Sequence, residues 1–548
     1  MSTAAWLANR LYLAAAAPAH ARFRRALRDP EQAQRAILRE LVRRNARTTF
    51  GREHGFDRIA SVQDFQNRVP LRDYDGYAEY TDRIGVGEAS VLTSEPVRFV
   101  EPSGGSSGPS KEVPYTGGLL REFSAATLPW VFDLLWSRPR LRGGRAYWAI
   151  SPPARRAART PGGIPVGMEH DSDYFPAPVR GLLDRMLGVP RAVSLAPDVA
   201  TARYLTLRAL LATPDLALVS VWSPSFLSLL MTALDEHWAA LLRDLDTGEL
   251  SVEMPAGLRG RLTPHFPAHP ARASALLRRF RRTAPEDLGA LWTRLALISC
   301  WTDGHARRAL GAVRRRFPHV EIQGKGLLAT EGVVSFPLFD ADAPVAAVTS
   351  HFLEFLPVSD PEAPRLVHQL ERGGIYEVVL STGGGLYRYR LGDRVRVEGH
   401  LHRTPLLSFV GRADRASDLA GEKLTAPFVE QVLARATMMT GVEPVFAMLA
   451  PAWGAPPRYL LYAELAPEEV RRLAEAVEGL LSESHHYALC RALGQLGPVQ
   501  GVSVRDGERT HERVCVRRGQ RAGSIKPAAL DPGLEWADAF GVGVAVAP

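Results

Sequence analysis

Apolar residues recur at helical spacing through the first part of the chain. Asp29 reads as an N-cap and Pro30 as the first helical residue, with Ala33, Ile37, Leu38, Leu41 and Val42 on one face. The pattern predicts helix from Met1 to about Asn67. From about Gly118 to Arg316, long helical patterns alternate with short apolar runs such as Ala146-Tyr147-Trp148-Ala149-Ile150 and Leu295-Ala296-Leu297-Ile298, which predicts layered α/β structure. The pattern then becomes extended: Tyr376-Glu377-Val378-Val379-Leu380, a Ser/Thr/Gly turn, and Leu386 to Val397 with a second turn at Gly392-Asp393. An antiparallel sheet is expected there. Beyond Asp414 come a helix from about Thr425 to Met439, strands near Val445 to Leu449 and Tyr459 to Ala463, a helix from Pro467 to about Leu493, a strand at Val502-Ser503-Val504 and a short helix. This reads as a separate α+β unit, so the expected division is a large N-terminal domain over residues 1–414 and a small C-terminal domain over 415–548.

Composition narrows the class. The chain of 548 residues, 46% hydrophobic, exceeds one core and suits two or three globular domains. Three cysteines, Cys300, Cys490 and Cys515, have no CxxC spacing and form no disulfide framework, which favours a reducing, cytoplasmic setting. The early Leu11-Tyr12-Leu13 and Ala14 to Ala17 resemble a signal peptide, but Arg10 is the only early charge and the segment runs straight into the capped helix. The longest apolar stretch, Phe226 to Leu234, is cut by Asp235 and Glu236 and is too short to span a bilayer, so no membrane association is expected. The net charge of +8 raises nucleic acid as a partner. The basic clusters, such as Arg278-Arg279-Phe280-Arg281-Arg282 and Arg314-Arg315-Arg316, are scattered and lack stacking aromatics, so they read as solvated faces and no nucleic-acid partner is expected.

Only four of the 67 Lys and Arg residues are lysine: Lys111, Lys325, Lys423 and Lys526. A solvated surface accepts either cation, so a lysine in so arginine-rich a chain suggests a compact point charge that a guanidinium cannot replace. Lys111 closes Ser103-Gly104-Gly105-Ser106-Ser107-Gly108-Pro109-Ser110, a run whose backbone N–H groups and hydroxyls can cradle a polyphosphate. It lacks the GKS/T ending of a Walker loop. Lys325 lies in Gly324-Lys325-Gly326, shortly before Thr330-Glu331, and chance survival is an equal account of it. Gly385-Leu386-Tyr387-Arg388-Tyr389-Arg390-Leu391-Gly392-Asp393 delivers a carboxylate that can accept from two ribose hydroxyls. Gly411-Arg412-Ala413-Asp414, followed by Gly421-Glu422-Lys423, puts charge and glycine at a domain boundary, as a hinge beside a charged ligand would. Each motif alone also fits a flexible turn, a hairpin or a linker; together they converge on ATP.

In this order and spacing the motifs resemble the acyl-acid amido synthetase family, known from plant auxin- and jasmonate-conjugating enzymes and their bacterial relatives, within the adenylate-forming superfamily. Thr49-Phe50-Gly51, Val69-Pro70-Leu71-Arg72-Asp73-Tyr74, Cys300-Trp301 and Leu353-Glu354-Phe355-Leu356-Pro357 extend the likeness over most of the chain. The resemblance implies an α/β fold with a β-sheet subdomain and a small mobile C-terminal domain. It implies ATP and Mg2+, activation of a carboxylic acid as acyl-AMP, and transfer to an amine or amino acid. Ser103, Gly104, Ser106, Ser107 and Lys111 would hold phosphates, with Thr330 beside them, and Glu331 would meet the magnesium ion. Asp393 would bind ribose, Lys423 and Arg412 would contact the nucleotide at the hinge, and Phe352 would stack on adenine. Lys526 would be the lysine of the C-terminal domain that neutralises charge in the adenylation transition state.

Three positions depart from the family's pattern. Ser524-Ile525-Lys526-Pro527-Ala528-Ala529 keeps the lysine but neither the preceding Gln nor the following Pro-Arg, Gly105 replaces a threonine, and Phe352 replaces a tyrosine. Transfer to coenzyme A, or nucleotide binding without catalysis, are the alternative readings. The acyl group is expected between Leu119 and Trp301, where Trp130, Trp136, Trp148, Trp222, Trp238, Phe226 and Met231 can line a pocket or pack the core.

Overall fold

The computed structural model describes residues 3–103, 111–149, 158–167, 181, 185–281, 283–303, 307–412, 416–417, 419–420, 422, 424–454, 456–492, 495–518, 520 and 522–541. The first helix, Thr3–Ala26, absorbs the alanine run: Ala5, Ala8, Tyr12, Ala16 and Phe23 recur every three to seven residues on its buried face. Small residues there let it pack closely against helix Gly117–Ser137. The next helix, Pro30–Asn45, is capped as the sequence predicts, Asp29 accepting from the Gln32 N–H.

The α/β expectation holds. Four short strands, Arg145–Trp148, Leu216–Ser220, Leu297–Cys300 and Glu321–Gly324, form a parallel sheet in chain order. Helices Val199–Leu211 and Pro224–Thr247 pack with this sheet into one apolar core. A parallel sheet buried by helices needs near-continuous apolar strands, which Leu216-Ala217-Leu218-Val219 supplies. Its carboxyl edge ends in Trp148, Ser220, Cys300 and Gly324, the edge at which open α/β sheets bind ligands.

The extended region is a seven-stranded antiparallel sheet in which Phe352–Pro357, Ile375–Ser381, Tyr389–Leu401 and Thr404–Arg412 are consecutive neighbours. The Ser/Thr/Gly turn lies between Ser381 and Tyr389 as expected. The second turn does not form. Gly392, at φ +79°, sits inside the continuous strand Tyr389–Leu401, where the pairing steps from Glu377↔Arg394 to Val379↔Arg390. Gly392 therefore makes a bulge, re-aiming Asp393 without reversing the chain.

In the C-terminal region, strands Ala447–Ala452, Arg458–Ala463 and Gln500–Ser503 form a three-stranded sheet. Alternation splits its side chains. Leu449 and Leu461 face helices Ala426–Thr440 and Pro467–Leu481, while Met448, Leu460 and Tyr462 face helix Gly507–Arg517 and Trp536. The expected helix from Pro467 to Leu493 is two helices, Pro467–Leu481 and His485–Ala492, interrupted at Ser482-Glu483-Ser484. The first strand starts two residues later than expected, at Ala447.

Candidate active site

The phosphate-loop candidates bracket a β-hairpin. Strand Val97–Ser103 pairs with strand Lys111–Thr116, and Ser103 lies opposite Lys111. Gly104, Ser106 and Ser107 lie outside the described residues, as does the side chain of Ser103. Lys111 is half-buried, its Nζ 5.7 Å from the Tyr74 ring centroid. Tyr74 clips the strand start: its hydroxyl accepts from the Glu112 N–H at 2.6 Å. Farther along, Thr116 caps helix Gly117–Ser137, accepting from the Leu119 N–H at 3.1 Å and donating to the Gly383 carbonyl at 2.7 Å. Glu122 accepts from Gly383 N–H at 2.9 Å and contacts His351 Nδ1 at 2.8 Å. The hairpin, this helix and the 382–385 turn are thus one hydrogen-bonded unit.

Thr330 and Glu331 follow the last strand of the parallel sheet. The Tyr115 hydroxyl donates to the Thr330 carbonyl at 2.6 Å, and the Tyr389 hydroxyl donates to Glu331 Oε1 at 3.3 Å. Glu331 is buried. Through Tyr115 and Tyr389, the candidate metal carboxylate is tied to both the hairpin and the 385–393 motif. Its carboxylate and the Thr330 hydroxyl are hard oxygen donors, which suit a magnesium ion sharing substrate phosphates. Among the described residues there is no cluster of three or more His, Cys, Asp or Glu that would make a closed metal cage.

Much of the 385–393 motif is framework. Tyr387 donates to the Leu92 carbonyl at 2.7 Å, and its N–H donates to the Tyr77 hydroxyl at 2.8 Å. Arg388 is buried at φ +50°, an unusual left-handed conformation for arginine. Its guanidinium meets Glu354 at 3.1 Å and donates to the Gln66 and Val69 carbonyls at 2.9 and 2.8 Å. These contacts fix the chain that leads into Asp393, which is buried and lies opposite Arg412 in the strand register. The Arg412 side chain is outside the described residues, and so is Lys423. Its neighbour Glu422 turns inward, accepting from the Leu419 and Ala420 N–H groups at 2.7 and 2.8 Å.

The expected adenine role of Phe352 meets an obstacle. Phe352 is 1% exposed and packs edge-on against Phe65, with ring centroids 5.9 Å apart. No ring face is open to a purine, because the side chain is packed into the apolar core of the large domain.

Lys526 is where the C-terminal region meets the large one. Its segment is anchored by backbone bonds from Leu449 N–H to the Ala529 carbonyl, 2.8 Å, and from Asp531 N–H to the Leu449 carbonyl, 3.0 Å. Lys526 Nζ lies 4.1 Å from the Trp301 ring centroid. Trp301 follows the parallel strand Leu297–Cys300 and contacts Phe409 edge-on at 5.2 Å. Phe409 belongs to strand Thr404–Arg412. Trp301 therefore joins the parallel sheet, the antiparallel sheet and the C-terminal lysine. Sequence reasoning assigned it no role, although an aromatic directly after an apolar strand was the available signal. Tyr115 and Tyr389 were also missed as supports of Thr330 and Glu331.

Behind Lys526, Arg203 and Glu512 form a buried ion pair across the same interface. Glu508, one turn earlier, faces a small cavity lined by Phe226, Phe446, His511 and Ile525 among others. Desolvation there, with Glu464 and Glu512 nearby, pushes Glu508 up to about 7. Burial also pushes the Cys300 thiol up to about 12, so it is a core residue and not a nucleophile.

The GH3 family N-terminal domain matches residues 19–322, the central domain 345–412 and the C-terminal domain 428–530. The first match alone covers more than half of the chain. The chain belongs to the GH3 family. A probable indole-3-acetic acid-amido synthetase, GH3.4 of Oryza sativa subsp. japonica, is 28% identical over 93% of this chain and 87% of its own length. The indole-3-acetic acid-amido synthetase GH3.4 of Arabidopsis thaliana is 24% identical over 80% of this chain and 77% of its own. Among solved structures, AtGH3.15 acyl acid amido synthetase in complex with 2,4-DB superposes with a TM-score of 0.84 at 20% identity, covering 95% of each chain. That likeness establishes the shared GH3 fold. No described helix is long and apolar enough to cross a membrane.

Proposed function

We propose that this GH3 protein is an AMP-forming ligase that joins a small carboxylic acid to an amine or amino acid. The observation that carries the assignment is the contact of Lys526 with Trp301 at the carboxyl edge of the parallel sheet, beside the strand that leads to Arg412. A cation brought there from the C-terminal region is what an adenylating site requires, and a passive nucleotide binder has no use for it. The names of the curated relatives, indole-3-acetic acid-amido synthetases, support an amino-acid acceptor.

In the reaction, a carboxylate oxygen of the acid bonds to the ATP α-phosphorus and the bond to pyrophosphate breaks. The amine nitrogen then bonds to the acyl carbon, AMP departs with the C–O electron pair, and the ammonium gives up its proton. Asp393 holds the ribose hydroxyls, while Ser103, Gly104, Ser106, Ser107 and Lys111 hold phosphate oxygens. Thr330 and Glu331 would hold magnesium, which when bound neutralises phosphate charge. Arg412 and Lys423 steady the nucleotide at the hinge, and Lys526 offsets charge as pyrophosphate leaves. No side chain forms a bond to the acyl group, so catalysis is positioning and electrostatics. A cytoplasmic setting belongs to this reading, supported by three buried cysteines that form no disulfide.

The test is to incubate the protein with ATP, Mg2+, a panel of carboxylic acids and either amino acids or coenzyme A. Amide, AMP and pyrophosphate in equal amounts support the assignment. A thioester in place of the amide makes it an acyl-CoA ligase.

A further inference from the structure

Thr330 and Glu331 are the two central residues of a tight turn. The Ala329 N–H donates to the Gly332 carbonyl at 2.9 Å, the Gly332 N–H donates back to the Ala329 carbonyl at 3.2 Å, and Leu328 forms an antiparallel bridge with Val333. A turn closed this way moves as one piece, so the place where Gly332 rests decides where the Glu331 carboxylate stands. Gly332 rests on a histidine. The three atoms nearest to a Cβ at Gly332 would all belong to the His351 ring: Nε2 at 2.8 Å, Cδ2 at 2.9 Å and Cε1 at 3.2 Å. The Gly332 backbone is not left-handed, so close approach to the ring is what the glycine supplies here.

His351 is fully buried and clamped on several sides. Its carbonyl accepts from Gln34 Nε2 at 2.7 Å, its Nδ1 meets Glu122 Oε2 at 2.8 Å, and its ring stands edge-on to Phe123 with centroids 5.7 Å apart. The preceding Ser350 hydroxyl donates to the Glu122 carbonyl at 2.8 Å. Glu122 also accepts from the Gly383 N–H, and a carboxylate only accepts, so Nδ1 carries the proton of the His351–Glu122 bond. At the opposite edge of the ring, Nε2 has no hydrogen-bond partner among the described residues and faces Gly332. A histidine buried for its polarity would have both nitrogens paired. Here one nitrogen is anchored and the other edge is a hard surface against the turn. The imidazole is a strut between helix Gly117–Ser137 and the Thr330–Glu331 turn, and the Gly383 bonds of Glu122 and Thr116 extend it to the strand that starts at Lys111 and to the turn that leads to Asp393.

We propose that His351 is a positioning residue for the carboxylate of Glu331, acting through its contact with Gly332. This rests on the ligase reading, in which Glu331 meets magnesium, but it can be measured on ATP binding without turnover. Calorimetry would give the affinity for ATP with Mg2+ and with EDTA, no acid being present; the ratio of the two is the gain due to the metal. Gly332→Ala drives a methyl into the ring while leaving the His351–Glu122 bond in place. It should cut that gain about tenfold, the size of effect that groups orienting a metal ligand have, with the metal-free affinity near that of the wild type. His351→Leu should cut it similarly. Adding His351→Ala to Gly332→Ala makes room for the methyl and should restore much of the gain. A gain unchanged in both single variants, a wild type indifferent to Mg2+, or a double variant worse than Gly332→Ala would overturn the proposal. So would equal losses with and without the metal, which mark ordinary core packing. Failure of the ligase reading looks different: the variants change the metal-dependent gain as stated, yet no acid releases pyrophosphate from ATP.

Discussion

Among single residues, the lysines are the most legible signal in the chain and also the most uneven. In a protein that uses arginine almost everywhere, two of the four lysines rest on tryptophan: Lys325 inside a cage and Lys526 on Trp301. Lys526→Ala should lower the rate of pyrophosphate formation by about a hundredfold to a thousandfold while leaving ATP affinity nearly unchanged, because its contribution belongs to the transition state. Rapid-quench kinetics together with calorimetric ATP binding separate the two effects. Asp393→Ala should instead weaken ATP binding about a hundredfold or more, through loss of two hydrogen bonds to a charged group. Circular dichroism should show its fold intact. What sequence could not reveal at this scale is which polar residue is framework. Arg388 and Glu422 look like ligand groups in a row of charges, yet burial turns both into supports.

At the scale of elements, periodicity located the helices and the antiparallel sheet, because alternation and helical spacing follow from which face is buried. It failed where one residue changes the chain's direction. Gly392 bends a strand that stays paired, and no local pattern distinguishes a bulge from a turn when the partner strand is unknown. Just before that strand, Arg388 forms a buried pair with Glu354 of strand Phe352–Pro357, the side chains 6% and 1% exposed. Arg388→Met removes the guanidinium partner of buried Glu354 and leaves it only the Gln66 amide, at a cost of about 3–5 kcal/mol. Scanning calorimetry should show a lowered Tm for the large domain, and pairing Arg388→Met with Glu354→Leu should recover much of the loss. If the single variant melts like the wild type, the pair does not hold the motif.

For the whole molecule, the meeting of the C-terminal region with the large domain was the least legible feature, since it depends on side chains three hundred residues apart. Arg203 and Glu512 are an example. The same interface should respond to pH. Glu508 is held protonated up to about 7, whereas its ordinary value is 4.5. The folded state binds the extra proton between those values, so this contribution to stability is full below about pH 4.5, falls as pH rises and is lost above about pH 7. Glu508→Gln should flatten that decline in Tm measured from pH 5 to 8. The central claim is that the three regions assemble an acid-activating site, and ATP–pyrophosphate exchange with Mg2+, a panel of aromatic acids and no amine tests it most directly. Exchange should depend on the acid supplied and be lost in Asp393→Ala. Tight ATP binding with no exchange for any acid would contradict it.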